Sequence, residues 1–192
     1  MNFTLTPSQT VGPYFAIGLP WTAGPHAVEP ATPGAFTIRG RIYDGRGEPI
    51  PDHLLETWQA DPAGRFADMH GHGGPSDLPG FHGFARCGAE DGDGSYEIVT
   101  VKPGRVKDSA GRLQAPHLAV TLMARGMLNR VVTRIYFADE PEANASDPVL
   151  GRVRPERRET LLAHWEEGTG SDGGYRFDIR VQGPGETVFF AV

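Results

Sequence analysis

The stretch APHLAVTL, residues 115–122, is the part of the chain from which the fold can best be read. After a proline, apolar residues alternate with smaller or polar ones, and this predicts a β-strand that is entered through His117. The preceding stretch TVKPG, residues 100–104, ends another extended segment at a Pro-Gly turn. A lone histidine at the start of a strand is a metal ligand, a general base or a packed side chain. The strand pattern alone does not distinguish these three roles.

Similar runs on both sides of this stretch predict further strands. They cover residues 36–43, 54–60, 94–101, 117–124, 131–137, 175–182 and 187–190. Strands at this spacing, with Gly- and Pro-rich turns between them, predict an all-β fold, namely an antiparallel β-sandwich. Residues 139–145 and 155–165 predict one or two short helices, the second with Leu161 and Trp165 on one face.

Residues 1–34 differ from the rest because their prolines interrupt any regular strand or helix. They predict an extended N-terminal arm. Its aromatic residues Tyr14, Phe15 and Trp21 favour docking of the arm on another surface over a free terminus. Residues 35–192 then form the β-sandwich domain.

The composition excludes several classes of protein. The 192 residues suit one domain, and a net charge of −6 argues against a nucleic-acid binder. The single Cys87 excludes an internal disulfide and fits a reducing compartment. No signal-peptide pattern and no run of membrane-spanning length is visible. The expectation is a cytoplasmic protein without a nucleic-acid or membrane partner.

Histidines are the plausible transition-metal ligands, and His70, His72 and His82 form their densest group. This group lies in a glycine-rich loop at residues 64–84, whereas metal sites need three or four ligands on ordered elements. We therefore expect surface histidines there. The carboxylates Glu56, Asp61 and Asp68 occupy ordinary turn and strand-edge positions and do not suggest an acid–base pair.

Arg134 is a charged residue in a predicted strand, and its side chain points to the same face as those of Val132 and Tyr136. If that face is part of the core, the guanidinium is buried and needs an anion or another acceptor. An internal salt bridge and a contact with an anionic ligand or partner are equally supported by the sequence.

Seven motifs together resemble the intradiol ring-cleavage dioxygenases, and they follow one another in that family's order over essentially the whole chain. They are TPSQTVGPY (residues 6–14), ETWQAD (56–61), GSYEI (94–98), TVKPG (100–104), APH (115–117), TRIYF (133–137) and YRFDI (175–179). The closing GETVFF, residues 185–190, is similar to the metal-free chain of the family's two-chain members. The resemblance implies a β-sandwich.

The resemblance also implies a degenerate metal site. Intradiol enzymes hold a non-haem ferric ion with two tyrosines and two histidines. The positions in this chain that match those ligands are Phe66, Val106, His117 and Ala119. Because phenylalanine, valine and alanine side chains have no lone pair to donate, the resemblance implies that this chain binds no metal itself.

Two-chain members of the family pair a ligand-bearing beta chain with a homologous alpha chain. The resemblance implies that this chain is the alpha type, in a hetero-oligomer of several alpha–beta pairs with Fe(III) bound by the beta chain. The implied reaction cleaves protocatechuate with O2 to 3-carboxy-cis,cis-muconate. The residues expected to line the partner's substrate pocket are Thr10, Gly12, Pro13, Tyr14 and Arg134. Two alternatives remain at this stage: a stand-alone scaffold or phenolic-acid-binding β-sandwich, and a metalloenzyme that uses His70, His72 and His82.

Overall fold

The strand predicted at residues 117–124 is present as His117–Met123, and it buries every second residue from Leu118 to Leu122. The computed structural model describes residues 5–67, 76–88, 92–168 and 173–191. The described strands are β1 (Phe36–Tyr43), β2 (Leu54–Trp58), β3 (Phe84–Gly88), β4 (Ser95–Thr100), β5 (His117–Met123), β6 (Val131–Phe137), β7 (Leu162–Glu166), β8 (Gly174–Arg176) and β9 (Ile179–Arg180). The α-helices are α1 (Phe15–Gly18) and α2 (Pro141–Ala145), and 3₁₀ helices span Leu150–Arg152 and Pro155–Leu161.

The all-β prediction is confirmed, but the antiparallel sandwich needs correction. The strands follow one hydrogen-bonded path in the order β3-β2-β5-β6-β7-β8-β1-β4, with β9 beside β1. Three neighbouring pairs are parallel, namely β1 with β8, β1 with β9, and β6 with β7. Since the end strands β3 and β4 contact each other, the sheet is nearly closed and barrel-like. Alternation along a strand reveals which face is buried but not which strand lies next to it, so the sequence could not supply this mixed topology.

The main core fills the interior of the curled sheet. It includes Ile38, Leu55, Leu118 and Ile135, all fully buried. Full burial of each such side chain stabilises the fold by about 1.5–3 kcal/mol. A second cluster packs α2 and the 3₁₀ helices against the outside of β6, where it surrounds Tyr136. The segments after β6 are thereby fixed against this part of the sheet.

Several predicted boundaries were wrong. The helix predicted at residues 155–165 is a 3₁₀ helix that ends at Leu161, and Leu162 is already extended at the start of β7. The strand predicted at residues 175–182 is divided into β8 and β9. Residues 187–190 form no regular strand, although the Phe190 amide donates to Val132 O at 2.8 Å. β3 was not predicted, because its first residue was assigned to the glycine-rich loop.

The N-terminal arm divides into two parts. Ala27 and Val28 are fully buried, and the Ala27 amide donates to Val99 O at 2.8 Å, so the second part packs on this chain's own sheet. The first part is largely exposed and contains the single-turn helix α1, which the proline-based prediction did not include. Within the described ranges, no helix is long and apolar enough to cross a membrane.

Candidate functional site

Two glycines allow the loops after β2 and β4 to touch. Gly64 has a φ of 78°, and a Cβ there would lie 2.5 Å from Arg105 O. A Cβ on Gly104 would lie 2.4 Å from Pro62 O. Any larger residue would therefore force the two backbones apart. This contact fixes the loop that carries Phe66 against the loop that carries Val106.

The buried carboxylate of Asp61 holds the first of these loops. Its Oδ1 accepts the amides of Ala63 at 2.9 Å and Arg65 at 2.8 Å, and its Oδ2 accepts the Ser76 hydroxyl at 2.8 Å. Burial raises the pKa of the Asp61 carboxyl, but the hydrogen bonds from these groups outweigh burial and keep the pKa below its usual range. A carboxylate that is already saturated with donors serves the loop rather than proton transfer.

The remaining carboxylates that the sequence drew attention to also form no acid–base pair. Glu56 is ion-paired with Arg86, whose Nη2 lies 2.6 Å from Glu56 Oε1. Asp68 lies outside the described residues. Asp61 occupies a turn as expected, but Glu56 lies in the middle of β2 between β3 and β5, so its expected strand-edge position was wrong.

Three of the four positions that the resemblance assigns to metal ligands lie on or against one face of β2, β5 and β6. Phe66 stacks on Trp58 with ring centroids 6.2 Å apart and parallel planes. Trp58 pairs with Ala119, and Ala119 pairs in turn with Arg134. Residues directly opposite in antiparallel strands have their side chains on the same face. His117, two residues before Ala119, shares that face. We call this surface the degenerate face.

Val106 joins the degenerate face through its backbone. Val106 O accepts the Gln114 amide at 2.8 Å, and the Gln114 side chain in turn accepts a hydrogen bond from Arg134 at 2.7 Å. Val106 is thereby connected to Arg134 through Gln114, whereas Phe66 is connected to Ala119 through Trp58.

His117 is hydrogen-bonded and packed. Its Nδ1 lies 2.8 Å from Ala115 O, so Nδ1 carries the proton, and its ring lies 5.5 Å from the Tyr136 ring. Burial, and after it the positive charge of Arg134, lower the pKa of His117 to about 4. The ring is therefore neutral at pH 7, with the lone pair on Nε2.

Arg134 finds its acceptors within the chain. Its Nη1 donates to Gln114 Oε1 at 2.7 Å and to the Tyr136 hydroxyl at 3.1 Å. The Tyr136 hydroxyl donates to Asp147 Oδ1 at 3.2 Å. The sequence left open an internal salt bridge or a contact with an anionic ligand or partner. Among the described residues, Nη1 forms no direct salt bridge, because both of its acceptors are uncharged groups. Gln114 and Asp147 were missed by the sequence reasoning because neither lies in a patterned strand, whereas Tyr136 shares parity with Arg134.

The degenerate face does not fit a ferric ion held by the family's ligand set. His117 Nε2 is the one side-chain donor atom at the four positions, since Phe66, Val106 and Ala119 have none. Iron held by oxygen and nitrogen ligands needs several such atoms around it. No step of a reaction is therefore assigned to a metal on this face.

The expected pocket residues of the arm lie elsewhere in the chain. The Gly126 amide, in the turn between β5 and β6, donates to Thr10 Oγ1 at 2.9 Å. At ~3.3 Å per residue, the stretch from Ala119 to Ala124 spans about 16 Å, so this turn is far from Arg134. The structure thus brings Thr10 to one end of the hairpin and leaves Arg134 apart from it.

The part of the arm that is expected to dock on another surface is exposed in this chain. Tyr14 is 80% exposed and Ile17 is 77% exposed. Gly12 has a φ of 75°, which suits the tight turn before Pro13. An aromatic and an aliphatic side chain exposed to this degree form a surface that another protein chain could cover.

The histidine group is only partly described. His70 and His72 lie outside the described residues. His82 is exposed and lines a cavity with Trp21, Phe81 and Phe84. Within the parts of the chain that the structure describes, three or more metal-ligating side chains do not come together.

Comparison with known proteins agrees with the resemblance. A family model described as Dioxygenase matches residues 11–183. The protocatechuate 3,4-dioxygenase alpha chain of Burkholderia cepacia is 45% identical over 203 residues, which cover 97% of each chain. The beta chain of the same enzyme from that organism is 32% identical over 154 residues, which cover 77% of this chain and 64% of the beta chain.

Solved structures agree with the fold. A dioxygenase domain from Streptomyces sp. SirexAA-E, part of a fusion with a carbohydrate-binding protein, superimposes with a TM-score of 0.58 at 26% identity. The match covers 93% of this chain and 98% of that domain.

Proposed function

The chain belongs to the intradiol ring-cleavage dioxygenase family, and on that premise we propose that it is the alpha subunit of a two-chain protocatechuate 3,4-dioxygenase. The observation that carries this proposal is the degenerate face, where Phe66, Val106 and Ala119 stand at positions that need ligand atoms. A chain that retains the family's fold without its ligands suits a supporting role beside a ligand-bearing homologue. The 45% identity to an alpha chain, against 32% to a beta chain, supports the same assignment.

In the proposed assembly, the reaction takes place at the beta chain. Both atoms of O2 enter protocatechuate, and the ring opens between its two hydroxyl-bearing carbons to give 3-carboxy-cis,cis-muconate. The Fe(III) held by the beta chain supplies the redox chemistry. The present chain supplies part of the pocket wall and the contacts of a cytoplasmic oligomer of several alpha–beta pairs.

The arm is the part of this chain that we assign to the partner's pocket. The residues assigned to the pocket wall are Thr10, Gly12, Pro13 and Tyr14, and the bond between Thr10 and Gly126 attaches the first of them to the β5–β6 turn. The ring of Pro13 restricts the backbone before binding, so less conformational entropy is lost there when the arm docks. Arg134 lies apart from the arm, on the chain's own degenerate face.

Co-expression with a homologous beta chain tests the proposal. We expect the present chain to be inactive and free of stoichiometric iron when it is produced alone. Together with the beta chain it should co-purify as a complex that carries iron and turns over protocatechuate. The beta chain produced alone is the matched control. Stoichiometric iron in the isolated present chain would contradict the proposal, and failure to capture a homologous beta chain from the native cell would favour a stand-alone protein.

A further inference from the structure

The degenerate face holds a positive charge although it lacks the ligands for a metal ion. Arg134 lies directly opposite Ala119, and Tyr136, two residues further along β6, lies opposite His117. The guanidinium and the imidazole therefore belong to adjacent cross-strand pairs on one face. The Tyr136 ring contacts His117 at 5.5 Å, and its hydroxyl accepts from Arg134 at 3.1 Å, which connects the two groups physically.

The position of this guanidinium is well defined. Its Nη1 is directed at the same time to Gln114 Oε1 and to the Tyr136 hydroxyl. Within the described part of the chain, both of these acceptors are uncharged. The charge of Arg134 is therefore not cancelled by a direct ion pair with either acceptor.

The counter-charge lies one hydroxyl group away, on Asp147. This carboxylate is 2% exposed, and the Ala115 amide donates to its Oδ2 at 2.7 Å. The amides of Val149 and Leu150 both donate to its Oδ1 at 2.8 Å, and so does the Tyr136 hydroxyl at 3.2 Å. Because its lone pairs are used by backbone amides and by tyrosine, Asp147 neutralises Arg134 only at a distance.

We propose that the guanidinium of Arg134 is a fixed cation that takes the place of a metal ion on the degenerate face and keeps metal cations away from His117. A guanidinium offers only N–H donors and cannot lose its charge near neutral pH. Metal binding at His117 Nε2 would bring a second cation close to it in a partly buried site, where charges repel strongly. The exclusion of metal thus has two causes, the missing ligands and the resident charge.

Restoring the ligands separates these two causes. One variant of the full chain carries Phe66→Tyr, Val106→Tyr and Ala119→His, and a second variant adds Arg134→Gln. Both are titrated with ferric nitrilotriacetate, and the readouts are the iron-to-protein ratio and the tyrosinate-to-iron absorption band. We expect the variant with Arg134→Gln to bind iron with a Kd lower by about tenfold or more.

A matched control removes a positive charge from elsewhere. Arg152 is exposed on a 3₁₀ helix, so Arg152→Gln in the ligand-restored chain should leave iron binding as it is with Arg134 present. Equal iron binding with and without Arg134 would overturn the proposal. So would a rescue by Arg152→Gln, or an absence of binding in both ligand-restored variants.

A smaller pair of variants covers the case in which the larger set does not fold. Ala119→His creates a two-histidine face with His117, and it is compared with Ala119→His combined with Arg134→Gln by calorimetric titration with Zn²⁺. Tighter Zn²⁺ binding without Arg134 supports the inference, and indistinguishable titrations contradict it. The comparison needs no partner chain, so its result is independent of the proposed alpha-subunit role.

Discussion

Arg134 pairs directly with Ala119 across β5 and β6, so a guanidinium stands beside one of the positions that the resemblance assigns to a metal ligand. The next cross-strand pair on the same face joins His117 to Tyr136. From these pairs, the side chains of Arg134 and Tyr136 form a hydrogen-bonded network that extends to Asp147. The network connects β5 and β6 to the segment after α2, and the following predictions test it together with the rest of the fold.

Asp147→Asn should destabilise the chain by about 2–4 kcal/mol. The substitution places an amide N–H where the structure needs an acceptor for backbone amides, including that of Ala115 at 2.7 Å. Urea unfolding followed by circular dichroism measures the effect. The exposed Glu142 of α2 provides the control, because Glu142→Gln should change the free energy of unfolding by less than about 0.5 kcal/mol. A loss below that value for Asp147→Asn would show that the carboxylate is dispensable.

Gly104→Ala should cost about 2–4 kcal/mol of stability, because the new Cβ would lie 2.4 Å from Pro62 O. The loops after β2 and β4 must separate to admit the methyl group, so Trp58 and Phe66 should also change their near-ultraviolet circular dichroism. Gly151→Ala is the matched control, since a Cβ there meets nothing within 4 Å. Thermal unfolding of the two variants should differ clearly, and equal melting temperatures would mean that the loop contact is loose.

His53 should make the fold less stable in mild acid. Its side chain is fully buried, Nδ1 lies 3.0 Å from Ile50 O, and Nε2 has no hydrogen-bond partner within the described chain. Burial lowers the pKa of His53. As the pH falls below the unfolded value of about 6.5, the unfolded chain therefore takes up a proton that the folded chain resists.

The stabilisation from neutral His53 is thus complete above about pH 6.5 and is lost as the pH falls toward the lowered pKa of the folded state. His53 should lower the free energy of unfolding by up to about 1.4 kcal/mol per pH unit in that window, in addition to the slope from His117, whose pKa is also lowered. Denaturant unfolding at pH 7.5 and pH 5.5 measures the slope. It should become smaller in His53→Asn and stay unchanged when the exposed His82 is replaced by Gln. An unchanged slope in His53→Asn would assign the pH dependence to other groups.

Removal of residues 1–14 should lower the turnover of the assembled complex by about tenfold or more while the iron content stays the same. In the described residues, the arm's side-chain link to the hairpin is the 2.9 Å bond from the Gly126 amide to Thr10 Oγ1. The stability of the isolated chain should therefore change little. Thr10→Val is the milder companion variant, since it removes that bond and retains the arm. Parallel loss of iron and activity would point to a structural role for the arm instead of a place in the pocket wall.

The sequence by itself determined the family, the all-β class and the strands β1, β2, β4, β5 and β6, but not β3 or β7. Alternation of apolar and polar residues depends on local side-chain direction, so β1, β5 and β6 were predicted close to their observed ends. The motifs matched Phe66, Val106, His117 and Ala119 to the family's ligand positions. Of these four side chains, only that of His117 has an atom that could bind a metal ion.

Only the tertiary structure decided how these parts face one another. Strand order, the parallel neighbours of β1 and β6, and the pairing of Arg134 with Ala119 depend on contacts between segments far apart in sequence, which a local pattern does not encode. For the same reason, Asp147 and Gln114 were invisible as members of the network until the chain was folded. The separation of Arg134 from the arm was also decided by the tertiary structure. Alternation along a strand shows which face of the sheet a residue lies on, but not which distant segment lies near it.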